Sequence, residues 1–186
     1  MIIGILALQG DFHLHAKLLT DYNISNIYVT KPKQLLDINA LIIPGGESTV
    51  ILSLLLKYDF INHLNKFSKI KSIYGSCAGA IIMSKFTNDK MNTLNYIDIK
   101  SNRNYWGSQI NSFTDKINFT FNKSKFNAYF IRAPKFECLS DKLEVLSMHN
   151  DVPILIRNKR HLVSSFHPEM TDDFTVHEYF IGMING

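Results

Sequence analysis

The chain has 186 residues, 46% of them hydrophobic and 19% charged, a composition that excludes a disordered chain and allows one core burying roughly two thirds of the unfolded surface. The formal net charge of +4 comes from scattered lysines with no basic stripe between aromatics, which argues against nucleic acid as a partner. The two cysteines, Cys77 and Cys138, are not needed as a staple in a chain of this size, so a reducing, cytoplasmic setting and a single domain over 1–186 are expected.

The apolar run Ile2 to Leu8 has no basic lead and stops at Gln9 and Asp11, too soon for a signal or a membrane span; it reads as a buried strand. Asp11 to Tyr22 carries Phe12, Ala16, Leu18 and Leu19 at helical spacing. Ile27 to Val29 is a short strand, Pro32 opens a helical turn, and Ala40 to Ile43 is a strand stopped by Pro44-Gly45-Gly46. A helical segment runs from Thr49 to about Phe67 with a break near Tyr58-Asp59. Lys71 to Tyr74 is the next strand and Ala78 to Lys85 the next helix. Strands that are apolar on both faces and alternate with helices predict a mostly parallel sheet with helices on both sides, a three-layer α/β fold.

The second half changes character. Ile117 to Phe121, Ala128 to Ile131, Leu143 to Leu146, Pro153 to Ile156 and His161 to Ser165 read as short strands joined by turns, a partly antiparallel extension. Thr171 to Met183 closes the chain as a helix with Asp172 and Asp173 in its first turn, where the helix dipole favours anions.

Three stretches carry chemistry. Gly75-Ser76-Cys77-Ala78-Gly79 fits G-x-C-x-G, the thiol counterpart of the nucleophile elbow, and lies between a strand and a helix as that elbow requires. Glycines on both flanks permit close approach, and a helix N-terminus favours the thiolate. A base for Cys77 is found in Ser165-Phe166-His167-Pro168-Glu169, where residues two apart on extended backbone share a side and Glu169 can orient His167. His149 is the competitor, with Asp151 two residues on, but Asn150 and Asp151 are already explained by a hairpin turn. His13, His15, His63, His161 and His177 read as solvated or helix-face positions. The third stretch is Pro44-Gly45-Gly46-Glu47-Ser48-Thr49, whose glycines can offer N–H groups to an oxyanion together with that of Ala78, with Ser48 or Thr49 as helix N-cap. Both glycine clusters sit at carboxyl ends of strands, where open α/β sheets bind ligands. No zinc-type spacing of His and Cys and no nucleotide-binding glycine loop occurs, so neither metal nor cofactor is expected.

These three stretches, in this order and with Gln9-Gly10 after the first strand, resemble the triad-type (class I) glutamine amidotransferases. More narrowly they resemble the glutaminase subunits of pyridoxal 5′-phosphate synthase, over nearly the whole chain and including Arg103-Asn104-Tyr105-Trp106-Gly107 and Phe130-Ile131-Arg132-Ala133-Pro134. The resemblance implies a flavodoxin-like fold and hydrolysis of L-glutamine, with Cys77 as nucleophile and His167 and Glu169 completing a triad. It also implies an oxyanion hole at Gly46 and Ala78, and glutamine contacts at Gly46, Glu47, Ser48, Arg103, Ile131 and Arg132. The implied partner is a (β/α)₈-barrel synthase subunit that receives the ammonia for vitamin B6 formation. Tyr105-Trp106 and Lys135-Phe136 depart from the family's pattern and bear on the pocket rim and the partner contact. The triad alone would also suit a glutaminase serving another acceptor, such as imidazole glycerol phosphate synthase, and an elbow cysteine without its histidine would suit a redox sensor.

Overall fold

The computed structural model describes residues 1–103 and 112–185. In chain order the elements are β1 (Ile3–Leu6), α1 (Phe12–Asp21), β2 (Asn26–Val29), β3 (Ala40–Ile43), α2 (Ser48–Lys57), α3 (Phe60–Ser68), β4 (Ser72–Ser76) and α4 (Ala78–Met83). There follow β5 (Ser84–Thr87), β6 (Ile97–Asn102), β7 (Phe113–Ile117), β8 (Phe126–Phe130), β9 (Lys135–Cys138), β10 (Glu144–His149), β11 (Val152–Arg157), β12 (Leu162–Ser164) and α5 (Thr175–Asn185). Single 3₁₀ turns occupy Pro32–Leu36 and Pro168–Met170.

Seven strands form the central sheet in the order β10-β11-β12-β4-β3-β1-β2. The pairs from β12 through β4, β3 and β1 to β2 are parallel, and β10 and β11 add the antiparallel edge. Because strand side chains alternate between faces, each of these short strands supplies two cores. On one face Leu6, Leu41, Ile43, Ile73 and Val163 pack with α2, α3 and α4 through Ile51, Leu55, Phe60, Leu64 and Ile82. On the other, Ile3, Ile5, Ala40, Ile42, Tyr74 and Leu162 pack with α1 and α5 through Ala16, Leu19, Val176 and Phe180. The sheet is therefore sandwiched by helices, as its doubly apolar strands require. Among the described residues no helix is long and apolar enough to cross a membrane.

The predicted helix break falls at Asp59, whose left-handed backbone (φ 56°) separates α2 from α3. Three expectations are corrected. The helix after Cys77 ends at Met83, two residues early, because Ser84 turns extended and its hydroxyl donates to Ile81 O at 2.7 Å and Phe86 O at 3.1 Å. The strand expected at Ile117 to Phe121 lies instead at Phe113–Ile117, paired with β8 so that Phe113 stacks on Phe130; Phe119 and Phe121 stack on each other beyond it. The last helix starts at Thr175, so Asp172 and Asp173 precede it. Asp173 instead accepts the Thr175 N–H at 2.9 Å, and the Asp172 carbonyl accepts the Tyr22 hydroxyl.

The parallel order places the ends of β1, β3, β4 and β12 side by side at one edge of the sheet. At that edge α4 lies against the end of β3 so closely that a Cβ on Gly79 would stand 2.1 Å from Ile43 O and 2.9 Å from its carbonyl carbon. Backbone cannot swing aside as a side chain can. Gly79→Ala should therefore cost about 1–3 kcal/mol as overpacking, read as a Tm fall of about 2–12 °C in a chain of this length. An unchanged Tm would mean that α4 shifts freely away from β3.

Candidate active site

Cys77 occupies the turn between β4 and α4 with φ 44° and ψ −100°, a conformation costly for any residue but glycine. Its N–H donates to Ser164 O at 2.9 Å, while its own C=O accepts the Ile81 N–H at 3.1 Å and so starts α4. Gly75 and Gly79 face each other across the bend: a Cβ on Gly75 would meet Gly79 C at 2.7 Å and Ala80 N at 2.8 Å. The small flanking residues are thus a packing requirement of the elbow. They bring the first turn of α4, with the free N–H of Ala78, beneath the thiol. The Cys77 thiol is 5% exposed and lies 3.7 Å from Ile131 O.

His167 follows β12, and its N–H donates to Tyr129 O on β8 at 2.9 Å. Its Nδ1 is 2.8 Å from Glu169 Oε1, and its ring shares one cleft with Cys77. The sequence argument paired His167 with Glu169 on extended backbone. The pairing is present, but Glu169 lies in the 3₁₀ turn Pro168–Met170, with Pro168 at the position where a missing N–H costs nothing. Burial works against a charged His167, yet the neighbouring Cys77 and Glu169 outweigh it and hold the imidazole well above its ordinary range. Burial likewise opposes charge on Glu169, but His15 and His167 bring its carboxyl down to about 2. The arrangement is a thiol, an imidazole kept protonated and a carboxylate behind it.

The oxyanion candidates come from the loop after β3. Gly46 has φ 151°, and a Cβ there would meet Gln9 Oε1 at 2.6 Å and Gly10 Cα at 2.9 Å. Gly45 O accepts the Asp11 N–H at 3.1 Å, and Gln9 Oε1 accepts the Glu47 N–H at 2.9 Å. Gln9-Gly10 therefore sets the orientation of the Gly45-Gly46 peptide. The helix cap is corrected: Glu47, and neither Ser48 nor Thr49, is the N-cap of α2, accepting from Thr49 N at 3.5 Å and Thr49 Oγ1 at 3.1 Å.

Gly46, Glu47, Ser48, Arg103, Ile131 and Arg132 all line one cleft of about 130 Å³ together with Cys77 and His167. Ala78 and Glu169 lie behind its wall. Sequence reasoning missed Asp11 and Ile81, which also line it; Asp11 follows Gln9-Gly10 directly, and Ile81 is one helical turn past Cys77. Both arginines meet Glu47, with Arg103 Nη2 at 3.3 Å from Oε1 and Arg132 Nη1 at 3.9 Å from Oε2, and Arg103 also pairs with Asp89. Arg132 carries a left-handed φ of 49°, which turns the chain at the cleft. Tyr105-Trp106 lies outside the described residues. Lys135-Phe136 belongs to β9, with Phe136 buried in the α4-side core.

His149 is not at this site. It ends the edge strand β10, with Asp115 3.7 Å from its Nδ1 and its ring against Phe130 and Phe113. Asn150 and Asp151, both at positive φ, form the expected hairpin turn between β10 and β11. Of the histidines read as solvated or helix-face positions, His15 and His177 do lie on helices, α1 and α5, but neither they nor His161 is solvated. All three are buried, and His15 sits behind Glu169 with Nε2 at 3.4 Å from Oε2. Asp11, His167 and Glu169 form a group whose ligand atoms lie within 4.8 Å of one another. Within this group His167 Nδ1 and Glu169 Oε1 are hydrogen-bonded to each other.

With this geometry in view, the comparisons with known proteins decide the family. Residues 5–186 match the SNO glutamine amidotransferase family. The chain belongs to that family. It is 42% identical over 181 residues to the pyridoxal 5′-phosphate synthase subunit PdxT of Francisella philomiragia, covering 97% of this chain and 98% of that one. It is 40% identical over 188 residues to the protein of the same name from Thermosipho africanus, covering 99% of each. A crystal structure of a glutamine amidotransferase superposes over the full length of both chains with a TM-score of 0.94 at 36% identity. The elbow, the His-Pro-Glu turn and the glycine pair thus stand in a chain of the same fold and family from end to end.

The Glu169 carboxyl, lowered from 4.5 to about 2, stabilises the fold above its ordinary value, and this contribution fades as pH falls from about 4.5 toward 2. It amounts to roughly 3 kcal/mol when complete. Urea unfolding of the native chain between pH 6 and pH 2 should show this loss, and Glu169→Gln should lack it whatever its stability at pH 6. Parallel slopes for the two proteins would show that Glu169 titrates normally.

Proposed function

We infer that this chain is the glutaminase subunit of a pyridoxal 5′-phosphate synthase, hydrolysing L-glutamine to L-glutamate and ammonia and passing the ammonia to a separate synthase subunit. The observation that carries the reading is the Cys77 thiol on its elbow, in one cleft with an imidazole that Glu169 holds from behind. Membership of a glutamine amidotransferase family and full-length likeness to PdxT subunits support it. The acceptor is a (β/α)₈-barrel synthase subunit, the glutaminase unit spans 1–186, and the setting is cytoplasmic.

Glutamine lies in the cleft with its side-chain amide over Cys77. The thiolate bonds to the amide carbon, and the carbonyl electron pair moves to oxygen, where the N–H groups of Ala78 and Gly46 receive it. His167 gives its proton to the nitrogen as the C–N bond breaks, so ammonia leaves and a thioester to Cys77 remains. The neutral imidazole then takes a proton from water as its oxygen attacks the thioester carbon. The C–S bond breaks, glutamate leaves, and the thiolate and imidazolium are restored. Arg103 and Arg132 face the α-carboxylate, and Glu47 between them suits the α-ammonium. No metal and no cofactor takes part.

Free ammonia is protonated and lost in water, so the reaction is useful only when an acceptor covers the site. The loop holding Gly45-Gly46 is tied to the loop after β1 by the Asp11 N–H and the Gln9 side chain. A partner pressing on Gln9-Gly10 would move the oxyanion donor with it, and glycines allow that peptide to turn. At saturating glutamine the isolated chain should release little glutamate and the chain with its synthase subunit far more, chiefly in kcat. Cys77→Ala should abolish release in both states while keeping the fold. Equal rates with and without the partner would overturn gating, and full activity in Cys77→Ala would overturn the mechanism.

Arg103→Ala should raise KM more than it lowers kcat, since the guanidinium touches the bound substrate away from the reacting amide. Arg103→Lys should not restore the wild-type KM, because a planar fork is not reproduced by an ammonium. An unchanged KM would assign Arg103 to its ion pairs with Glu47 and Asp89 alone.

A further inference from the structure

Behind the site, on the side away from the cleft, two histidines are wholly buried. His15 on α1 and His177 on α5 are both 0% exposed. His15 Nδ1 lies 2.8 Å from His177 Nε2, and His15 Nε2 lies 3.2 Å from Ser76 Oγ and 3.4 Å from Glu169 Oε2. Ser76 Oγ in turn is 3.5 Å from Glu169 Oε1. The residue preceding the elbow cysteine and a histidine from a different helix thus converge on the carboxylate that orients His167.

One proton can occupy each His–His contact, so the network has two possible tautomer sets. In the first, His177 Nε2–H donates to His15 Nδ1 and His15 Nε2–H donates to Ser76 Oγ, whose hydroxyl is left to donate to Glu169 Oε1. In the second, His15 donates to His177, which leaves an imidazole lone pair facing the carboxylate and places an N–H on His177 Nδ1. That nitrogen is buried and, among the described residues, meets no hydrogen-bond partner. Glu169 Oε2 lies 3.4 Å from His15 Nε2 and, among the described residues, accepts no hydrogen bond. A buried unpaired N–H beside a lone pair aimed at an anion is the costlier state, so the first set holds.

We propose that His15 is a positioning residue of the triad, its Nε2–H fixing the Ser76 hydroxyl that donates to Glu169, and that His177 fixes the tautomer of His15. The chain of contacts then runs His167, Glu169, Ser76, His15, His177, with each proton in a determined place. Burial keeps both rear histidines neutral, lowering His15 and bringing His177 to about 3. At neutral pH they therefore act through hydrogen bonds, His177 on His15 and His15 on the Ser76 hydroxyl that reaches Glu169. The groups facing the carboxylate are His167, His15 and Asp11, with Tyr74 and His177 behind them and Cys77 across His167. The inference rests on the glutaminase reading for its kinetic consequences and on packing alone for its tautomers.

The test therefore has two arms. Long-range ¹H–¹⁵N spectra of the full chain should show His15 and His177 each protonated on Nε2 and bare on Nδ1 at neutral pH. In the complex with the synthase subunit, His15→Phe should lose about 10–100-fold in kcat, the range seen when outer partners of an oriented histidine are removed. Its acid limb should move to higher pH, because a carboxylate that loses a donor is harder to keep ionised. His15→Gln, whose Nε2 amide group can donate to the same Ser76 hydroxyl, should recover most of both. A proton on His15 Nδ1, or an acid limb in His15→Phe identical to that of the native chain, would overturn the proposal. If His15→Phe does not fold, the spectra and His15→Gln decide it. If the native complex itself lacks glutaminase activity, the functional reading falls and the spectra alone decide the tautomer chain.

Discussion

A buried carboxylate is the constraint around which the molecule is arranged. Glu169 is 4% exposed and ionised, and an isolated charge in such a place would cost many kcal/mol. It is tolerated because four separate parts of the chain deliver groups to it or to its partners. His167 arrives with it from the segment after β12, Ser76 from the end of β4, His15 from α1 and His177 from α5. None is close to another in sequence except His167. The parallel order of β1, β4 and β12, with α1 and α5 on a common face, is what brings them together.

The elbow is the second cost in the same place. Cys77 sits in a backbone conformation that a free peptide avoids, and it persists because its surroundings leave no alternative. Its N–H is claimed by Ser164 O, Gly75 and Gly79 are pressed together beneath it, and α4 is pinned against β3 at Ile43. Strain and buried charge adjoin through one residue step, Ser76 to Cys77. A relaxation of either would disturb the other, which ties the stability of the sheet's carboxyl edge to the geometry of the thiol.

Much of this was legible in the sequence, for identifiable reasons. The parallel strands are runs of aliphatic residues too short and too apolar to be anything else, and glycine and proline mark their ends at Pro44-Gly45-Gly46 and Gly75. The elbow and the His-Pro-Glu turn are local patterns, so Cys77, His167 and Glu169 could be named before any packing was known. The second half was harder. β6 alternates cleanly, with Ile97, Ile99 and Ser101 buried, yet polar residues between them hide a strand that only pairing with β5 and β9 reveals. β7 slipped by four residues because Phe119 and Phe121 look like strand positions but stack on each other past its end. The buried histidines were misread for a deeper reason. A lone histidine on an amphipathic helix is ordinarily solvated, and the partner that makes His15 different, Glu169, is 154 positions away.

On the proposed reading, a substrate amino acid and a partner protein would both act on the Gly45-Gly46 peptide. Arg103 and Arg132 are held by Glu47 and Asp89, so the positive charges that suit an α-carboxylate are in place but already matched. On the proposed reading, glutamine exchanges one set of ion pairs for another, and the net gain from such an exchange at a partly solvated site is small. Affinity then depends on seating the amide over Cys77. That seat is bounded by Gly46, whose backbone is wedged against Gln9 and Gly10, while the adjoining Glu47 N–H is bonded to the Gln9 side chain. Glu47 is at once the cap of α2, the counter-ion of both arginines and the residue after Gly46. On the proposed reading, a movement of the loop after β1 would therefore reach the oxyanion donor and the arginine clamp through the same residue, without passing through the proposed triad.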